Sequence, residues 1–114
     1  MNVGPMGNKK TGKWMGQVVL ITGASAGIGA ALAEQFVAEG ARVALAARRL
    51  DRLESLATQL NALKEDEPVA LPVLCDVTDE ESVLDCVQTV ISHWGQLDVV
   101  IANAGFGVTG SLKR

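Results

Sequence analysis

The sequence predicts an α/β fold with a doubly wound parallel sheet, of which the chain carries the N-terminal half. The first observation is an alternation, from residue 17 onwards, of short continuous apolar runs with longer segments of helical period. Such an alternation is typical of βαβ units. The second observation is a glycine-rich turn directly after the first apolar run. A turn of this kind joins the first strand to the first helix in doubly wound sheets.

Four apolar runs are predicted to be the strands of this sheet. Each is continuous rather than alternating, as expected of a strand that is buried on both faces. The runs span residues 17–22, 42–47, 69–75 and 97–103.

Three segments between these runs carry apolar residues at helical spacing. The first helix is predicted over residues 27–39 and ends at Gly40, the second covers 50–64, and the third begins at a capping box of Thr78 and Glu81. The residues predicted to face the sheet are Ile28, Leu32 and Phe36 in the first helix, Leu53, Leu56, Leu60 and Leu63 in the second, and Val83, Val87, Val90, Ile91 and Trp94 in the third.

The resulting order, β-α-β-α-β-α-β, is Rossmann-like. Right-handed connections in the strand order 3-2-1-4 place the first two helices on one face of the sheet and the third on the other. The first and fourth strands then meet at the switch point where ligands bind.

Composition excludes several classes of function. The 114 residues suffice for one small domain, and 10 basic against 13 acidic residues give a net charge of −3, without the basic stripe of a nucleic-acid-binding surface. No apolar run approaches the ~20 residues of a membrane span.

Cys75, Cys86 and His93 match no zinc or redox spacing, so we expect buried thiols, no metal and a cytoplasmic protein. Residues 1–13 are predicted to be a flexible leader, and 14–114 a partial Rossmann domain.

The segment TGASAGIG is the first candidate binding motif. It runs from the first predicted strand into the first predicted helix, which is the context of a phosphate-binding turn. Gly23, Gly27 and Gly29 let the backbone turn tightly and let a pyrophosphate approach the helix N-terminus. The Ser25 hydroxyl can add a donor. The alternative is a turn that only packs the helix against the strand.

Two arginines follow the second predicted strand, where a dinucleotide-binding fold meets the adenosine ribose. No carboxylate, which would repel a 2′-phosphate, stands at Ala46 or Ala47. Arg48 can hold that phosphate through charge-assisted hydrogen bonds, so the sequence favours NADP over NAD. The alternative, stronger for Arg49, is a solvated charge at a helix start.

The third predicted strand ends in CDVTD. Asp76 lies where its side chain could accept a hydrogen bond from an adenine amino group, while the Val77 backbone contacts the ring. The alternative is an aspartate that only forms a turn.

Taken together, TGASAGIG, CDV and LDVVIANAG closely resemble the short-chain dehydrogenase/reductases of the classical type. The resemblance covers roughly residues 13–114, the N-terminal coenzyme-binding part of the family. It implies an NAD(P)-dependent oxidoreductase acting on a carbonyl/alcohol pair, with the loop from Thr22 to Gly29, including Ile28, binding the coenzyme pyrophosphate.

The family's Asn-Asn-Ala-Gly motif reads Ala-Asn-Ala-Gly at residues 102–105. The resemblance implies that Asn103 steadies the central sheet near the cofactor, and that Ala104 and Gly105 complete the coenzyme site. Asp98 matches the family's aspartate four residues before this motif.

The residues that transfer protons in this family are not present. They are a tyrosine, a lysine four residues later that brings the phenol pKa towards neutrality, and a serine that polarises the substrate oxygen. The chain contains no tyrosine. We therefore predict no catalytic residue and an inactive chain. Separately, we predict that the fragment is marginally stable and that it self-associates through an open fourth strand.

Two other hypotheses stay open. One is a non-catalytic nucleotide-binding or interaction module derived from the family. The other is a methyltransferase using S-adenosylmethionine, which the Arg48 cluster and the NAG after the fourth strand disfavour.

Overall fold

The computed structural model describes residues 14–24, 27–64 and 68–102. In that part of the chain, four parallel strands alternate with three helices in the predicted order, which confirms the Rossmann-like fold class. The strands are β1 (Val18–Thr22), β2 (Arg42–Ala47), β3 (Ala70–Leu74) and β4 (Val99–Ala102). The helices are α1 (Gly27–Ala38), α2 (Leu50–Asn61) and α3 (Glu80–Trp94). The predicted leader, residues 1–13, lies outside the described residues.

The order of strands across the sheet is β3-β2-β1-β4, as predicted. β1 pairs in parallel with β2 and with β4, so that Leu20 lies opposite Ala44 on one side and Val100 on the other. All five residues of β1 are buried, because the strand has a neighbour on each side and helices above and below it. The chain reverses its direction of winding at β1, so the ends of β1 and β4 form the switch point.

Helices cover both faces of the sheet. Successive side chains of a strand point to opposite faces, and accordingly Val19 and Ile21 pack in the core under α1 and α2, whereas Val18 and Leu20 pack in the core under α3. The predicted distribution of two helices on one face and one on the other is confirmed.

Glycines end α1 and α3, as predicted. Gly40 has a φ of 97°, and the next amide, of Ala41, donates to the Phe36 carbonyl at 3.0 Å. A Cβ at Gly40 would lie 2.9 Å from the Cα of Met15, so this position is constrained by both conformation and space. Gly95 has a φ of 80° and donates to the Ile91 carbonyl at 2.7 Å.

The predicted capping box at the start of α3 is wrong. The N-cap is Asp79, whose carboxylate accepts from the Glu81 amide at 3.2 Å. The Thr78 hydroxyl instead donates backwards to Asp76, at 2.7 Å. A neighbouring carboxylate is a strong acceptor for a hydroxyl, and Asp79 is itself a favoured N-cap residue.

Three of the predicted core positions are exposed: Ile28 by 70%, Leu63 by 62% and Ile91 by 43%. In α1 the buried face is centred on Ala33 and Val37, one residue further along the helix than predicted. Leu63 lies beyond the end of α2, and Ile91 lies beside the buried row of α3 rather than in it.

β4 is held to β1 but is less covered than the other strands. Its four residues are all half-buried. The Asp98 carboxylate accepts from the Val18 amide at 2.8 Å and from Gln96 Nε2 at 2.7 Å, which fixes the start of β4 against β1. Across the described part of the chain, β1 is the only strand that pairs with β4.

A membrane span requires both length and apolar character, and none of the described helices has both.

Candidate functional site

The carboxyl ends of β2 and β3 and the turn after β1 enclose a cleft of about 190 Å³. Parallel strands bring their carboxyl ends to one edge of the sheet, so loops far apart in sequence meet there. The residues that line the cleft are Gly23, Ala47, Arg48, Cys75, Asp76, Val77 and Thr78.

The turn between β1 and α1 forms one wall of this cleft. Gly23 has a φ of 67°, and the following amide, of Ala24, donates to the Ala46 carbonyl at 3.2 Å, which ties the turn to the end of β2. Gly27, the first residue of α1, has a φ of 59°, and a Cβ there would meet nothing within 4 Å. The first amides of a helix lack intrahelical partners and carry partial positive charge, so the start of α1 suits an anion.

The structure separates the two arginines after β2. Arg48 lines the cleft. Arg49 is the N-cap residue of α2, and its guanidinium lies 3.9 Å from the Asp51 carboxylate in an exposed ion pair. The solvated helix-start interpretation therefore describes Arg49, whereas Arg48 belongs to the cleft lining.

Asp76 lines the same cleft as Arg48 and is hydrogen-bonded to residues that follow it. Its Oδ1 accepts from the Thr78 amide at 3.0 Å and from the Thr78 hydroxyl at 2.7 Å, and its own amide donates to Ser82 Oγ at 2.9 Å. The two bonds from Thr78, and then the positive charge of Arg48, lower the pKa of the Asp76 carboxyl. The cleft therefore presents an ionised carboxylate.

Two buried thiols lie at or near the cleft: Cys75 is part of its lining, and Cys86 neighbours Cys75. Cys75 ends the run that forms β3, and Cys86 lies in the second turn of α3. Burial, and after it the neighbouring Cys75, raise the pKa of the Cys86 thiol to about 12. Burial also raises the pKa of Cys75, so both groups are neutral thiols, as predicted, and pack as small apolar side chains.

The structure brings together only part of the predicted set. Gly23, Arg48, Asp76 and Val77 share the cleft. The next group, Gly27, Ile28 and Gly29, forms the start of α1, with Ile28 exposed and Gly29 buried. The remaining four, Ser25, Asn103, Ala104 and Gly105, lie outside the described residues.

Sequence reasoning missed Thr78 as a member of this site. The spacing of Thr78 and Glu81 predicts a helix cap, although an Asp-x-Thr pattern after a strand also allows the threonine side chain to bond back to the aspartate. Among the residues that the structure describes, no group of three or more His, Cys, Asp or Glu side chains could hold a metal ion.

A larger groove lies elsewhere, with a volume of about 740 Å³, between the outer side of α3 and the sheet edge at β3. Polar residues of one helix and a single strand residue line it: Leu71, Asp85, Gln88, Thr89, Ser92 and His93. Among the described residues, its only strand residue, Leu71, lies near the start of β3, and it contains none of the predicted binding residues. The smaller cleft is therefore the better candidate, because several loops converge on it.

Comparison with known proteins agrees with this architecture. The family model described as short chain dehydrogenase matches residues 17–114. The chain is 42% identical over 97 residues to a dehydrogenase/reductase SDR family protein 7-like from Anopheles gambiae, a match that covers 83% of this chain and 31% of that protein. The chain thus spans about a third of the length of this relative.

Two solved structures extend the comparison to the fold. A putative short-chain dehydrogenase/reductase from Burkholderia xenovorans matches with a TM-score of 0.76 at 32% identity, over 88% of this chain and 40% of that one. A 3-ketoacyl-(acyl-carrier-protein) reductase from Brucella melitensis, complexed with NADH, matches with a TM-score of 0.70 at 31% identity, over 77% of this chain and 34% of that one. Together with the family match over residues 17–114, they show that the chain belongs to the short-chain dehydrogenase/reductase family of oxidoreductases.

Proposed function

We propose that this chain is the coenzyme-binding portion of an NAD(P)-dependent short-chain oxidoreductase that acts on a carbonyl/alcohol pair. The observation that carries the proposal is the meeting of Gly23, Arg48 and Asp76 in one cleft at the carboxyl ends of parallel strands. A glycine turn, a cation and a carboxylate so arranged match the pyrophosphate, ribose and adenine of a dinucleotide. The family membership of the chain supports the same proposal.

The start of α1 would hold the pyrophosphate. Gly27 leaves open space where any other residue would place a Cβ, so a phosphate could approach the backbone amides closely. Ser25, Ile28 and Gly29 belong to this loop in the proposal, with the Ser25 hydroxyl as an additional donor.

The cleft between Arg48 and Asp76 would hold the adenosine. In the proposed arrangement Asp76 accepts from the adenine amino group, and Val77 contacts the ring through its backbone. Asn103, Ala104 and Gly105 would continue the site towards the nicotinamide.

We propose NADP as the preferred coenzyme. Arg48 carries a guanidinium that can bind a 2′-phosphate bidentately, and the positions before it are Ala46 and Ala47 rather than a carboxylate. The Brucella melitensis relative was solved with NADH, so the proposed preference for NADP rests on Arg48 of this chain.

The coenzyme would supply a hydride, and this chain's residues bind and orient it. A family member also needs a group that gives or takes the proton of the substrate oxygen. Since the 114 residues contain no tyrosine, we propose that this chain by itself binds coenzyme without turning over a substrate.

Calorimetric titration of the chain with NADPH, and with NADH in parallel, tests this function. The proposal predicts saturable binding with a clear preference for NADPH. The absence of heat with both coenzymes would contradict coenzyme binding, whereas equal affinities would contradict only the role given to Arg48.

A second candidate is an interaction module. β4 is only half-buried at every residue, and in the part of the chain that the structure describes it has β1 on one side only. An open strand edge offers unpaired backbone groups to another chain, so we propose self-association through β4. Sedimentation velocity should show dimers that grow with protein concentration, and a monomer at all concentrations would contradict this proposal.

A further inference from the structure

Asp76 is fixed at the edge of the cleft by Thr78. Both hydrogen bonds from Thr78, from its amide at 3.0 Å and from its hydroxyl at 2.7 Å, reach the same carboxylate oxygen, Oδ1. Two donors on one oxygen restrict rotation of the carboxylate about its terminal bond. Within the part of the chain that the structure describes, the other oxygen, Oδ2, accepts no hydrogen bond.

The backbone of this segment is fixed as well. The Asp76 amide donates to Ser82 Oγ at 2.9 Å, and the Asp76 carbonyl accepts from the Asp79 amide at 3.0 Å. Asp79 and Ser82 both belong to the start of α3, which is packed on the sheet through Cys86 and Val90. The position of the Asp76 carboxylate is therefore set by a rigid helix and by one side chain, that of Thr78.

We propose that Thr78 is the positioning residue that occupies Asp76 Oδ1 and so reserves Oδ2 for an amino group on the bound base. The cleft then selects adenine over a base that carries a carbonyl group at the same position, such as hypoxanthine. This inference rests on the proposed function, because it assigns the adenosine of the coenzyme to this cleft.

The selectivity follows from the chemistry of an ionised carboxylate, which only accepts hydrogen bonds. The adenine amino group donates, whereas a carbonyl oxygen would face Oδ2 with its own lone pairs. Without the Thr78 hydroxyl, the carboxylate could turn and meet solvent, and the two bases would bind more equally.

Thr78 can be changed without disturbing the core. Its side chain is exposed, and the helix cap is supplied by Asp79. Thr78→Val removes only the hydroxyl and keeps the shape and the amide bond to Oδ1. Thr78→Ser keeps the hydroxyl on a smaller side chain and is the matched control. Thr78→Ala removes the hydroxyl in a second way, should the valine variant fold poorly.

The experiment is a calorimetric titration of the chain and these variants with NADPH and with its hypoxanthine counterpart. The unmodified chain and Thr78→Ser should prefer NADPH by about tenfold, the size expected for one hydrogen bond to a charged group. In Thr78→Val and Thr78→Ala the preference should fall below about threefold, mainly through weaker binding of NADPH.

The possible failures are distinct. Equal weakening of both coenzymes in Thr78→Val would mean a general structural role and would overturn the inference, as would an unchanged preference. An unmodified chain that binds both coenzymes equally would overturn the inference alone. An unmodified chain that binds neither would overturn the proposed function and this inference with it.

Discussion

Arg48 and Asp76 show how strongly the surroundings of a single residue determine its contacts and, for Asp76, the pKa of its carboxyl. Arg48 and Arg49 are adjacent in sequence and chemically identical, yet one lines the cleft and the other pairs with Asp51 in solvent. Asp76 lines the same cleft, and the positive charge of Arg48 helps to lower the pKa of the Asp76 carboxyl. An adenosine bound between them would have a cation at its ribose and a carboxylate at its base. The roles of these residues can be separated by substitution.

Arg48→Ala is expected to weaken NADPH binding by about tenfold to a hundredfold, because charge-assisted hydrogen bonds to a phosphate are lost. NADH lacks that phosphate, so its affinity should change little. Arg49→Ala is the matched control and should leave both affinities unchanged. The measurement is calorimetric titration of each variant with each coenzyme. An equal loss of NADPH affinity in both variants would show that only the general positive charge matters.

The buried Cys86 thiol makes the free energy of unfolding depend on pH in the alkaline range. Burial raises the pKa of its thiol from 9.0 to about 12, so above pH 9 the unfolded chain loses this proton while the folded chain keeps it. The folded state then binds more protons than the unfolded state, and the free energy of unfolding falls as pH rises through this window. The titration of Cys86 lowers the free energy of unfolding by at most about 1.4 kcal/mol per pH unit.

The test is urea unfolding between pH 8 and 11 for the unmodified chain and for Cys86→Ala. The variant should be less stable at pH 8 because of the cavity, but its stability should fall less steeply above pH 9. Parallel pH profiles for the two proteins would contradict a neutral, buried Cys86 thiol.

At the scale of elements, strands and helices could be predicted in number and order because each strand is a continuous apolar run and each helix has a regular apolar period. The buried face of α1 could not be predicted in the same way. Its sequence, GIGAALAEQFVA, is apolar on nearly every side, so a shift of one residue, from Ile28 to Gly29 as the first core position, leaves the periodicity almost equally good. Packing against β1 and β2 decides between the two faces.

In the turn before α3, too, the sequence allows two arrangements, and neighbouring residues decide between them. Thr78 can cap a helix or bond back to an aspartate, and both patterns are present in the sequence. The choice depends on Asp79, which supplies the cap, and on Ser82, which holds the Asp76 backbone. By contrast, Arg48 and Asp76 were predictable as cleft residues, because Arg48 comes directly after β2 and Asp76 lies two residues after the end of β3, where the ends of parallel strands converge.

Gly40 and Gly95 end helices under different constraints, and their substitution should differ accordingly. Gly40→Ala would place a Cβ 2.9 Å from the Met15 backbone in addition to the strain of a φ of 97°. Gly95→Ala meets strain at a φ of 80° but open space. We expect a loss of about 1 kcal/mol for Gly95→Ala and of about 2–3 kcal/mol for Gly40→Ala.

Urea unfolding of both variants at neutral pH measures this difference in the free energy of unfolding. A loss at Gly95 equal to or larger than that at Gly40 would contradict the close contact between the end of α1 and the segment at Met15.

At the scale of the whole molecule, the sheet topology brings the proposed site together. β1 lies in the centre with β2 on one side and β4 on the other, so the turn after β1 reaches both the cleft at the ends of β2 and β3 and the switch point beside β4. Asp98 fixes β4 to the start of β1, at the opposite end of the strands from the cleft. The stabilising contact and the proposed binding residues are thus at different ends of the same sheet.

The most direct test of the proposed function is to map NADPH onto the isotopically labelled chain by changes in amide chemical shifts. We expect the affected amides to cluster around Gly23, Arg48, Asp76 and Val77 and at the start of α1, and their shifts to saturate together. Shifts confined to the groove beside His93, or no saturable shifts at all, would contradict a coenzyme site at the carboxyl ends of β2 and β3.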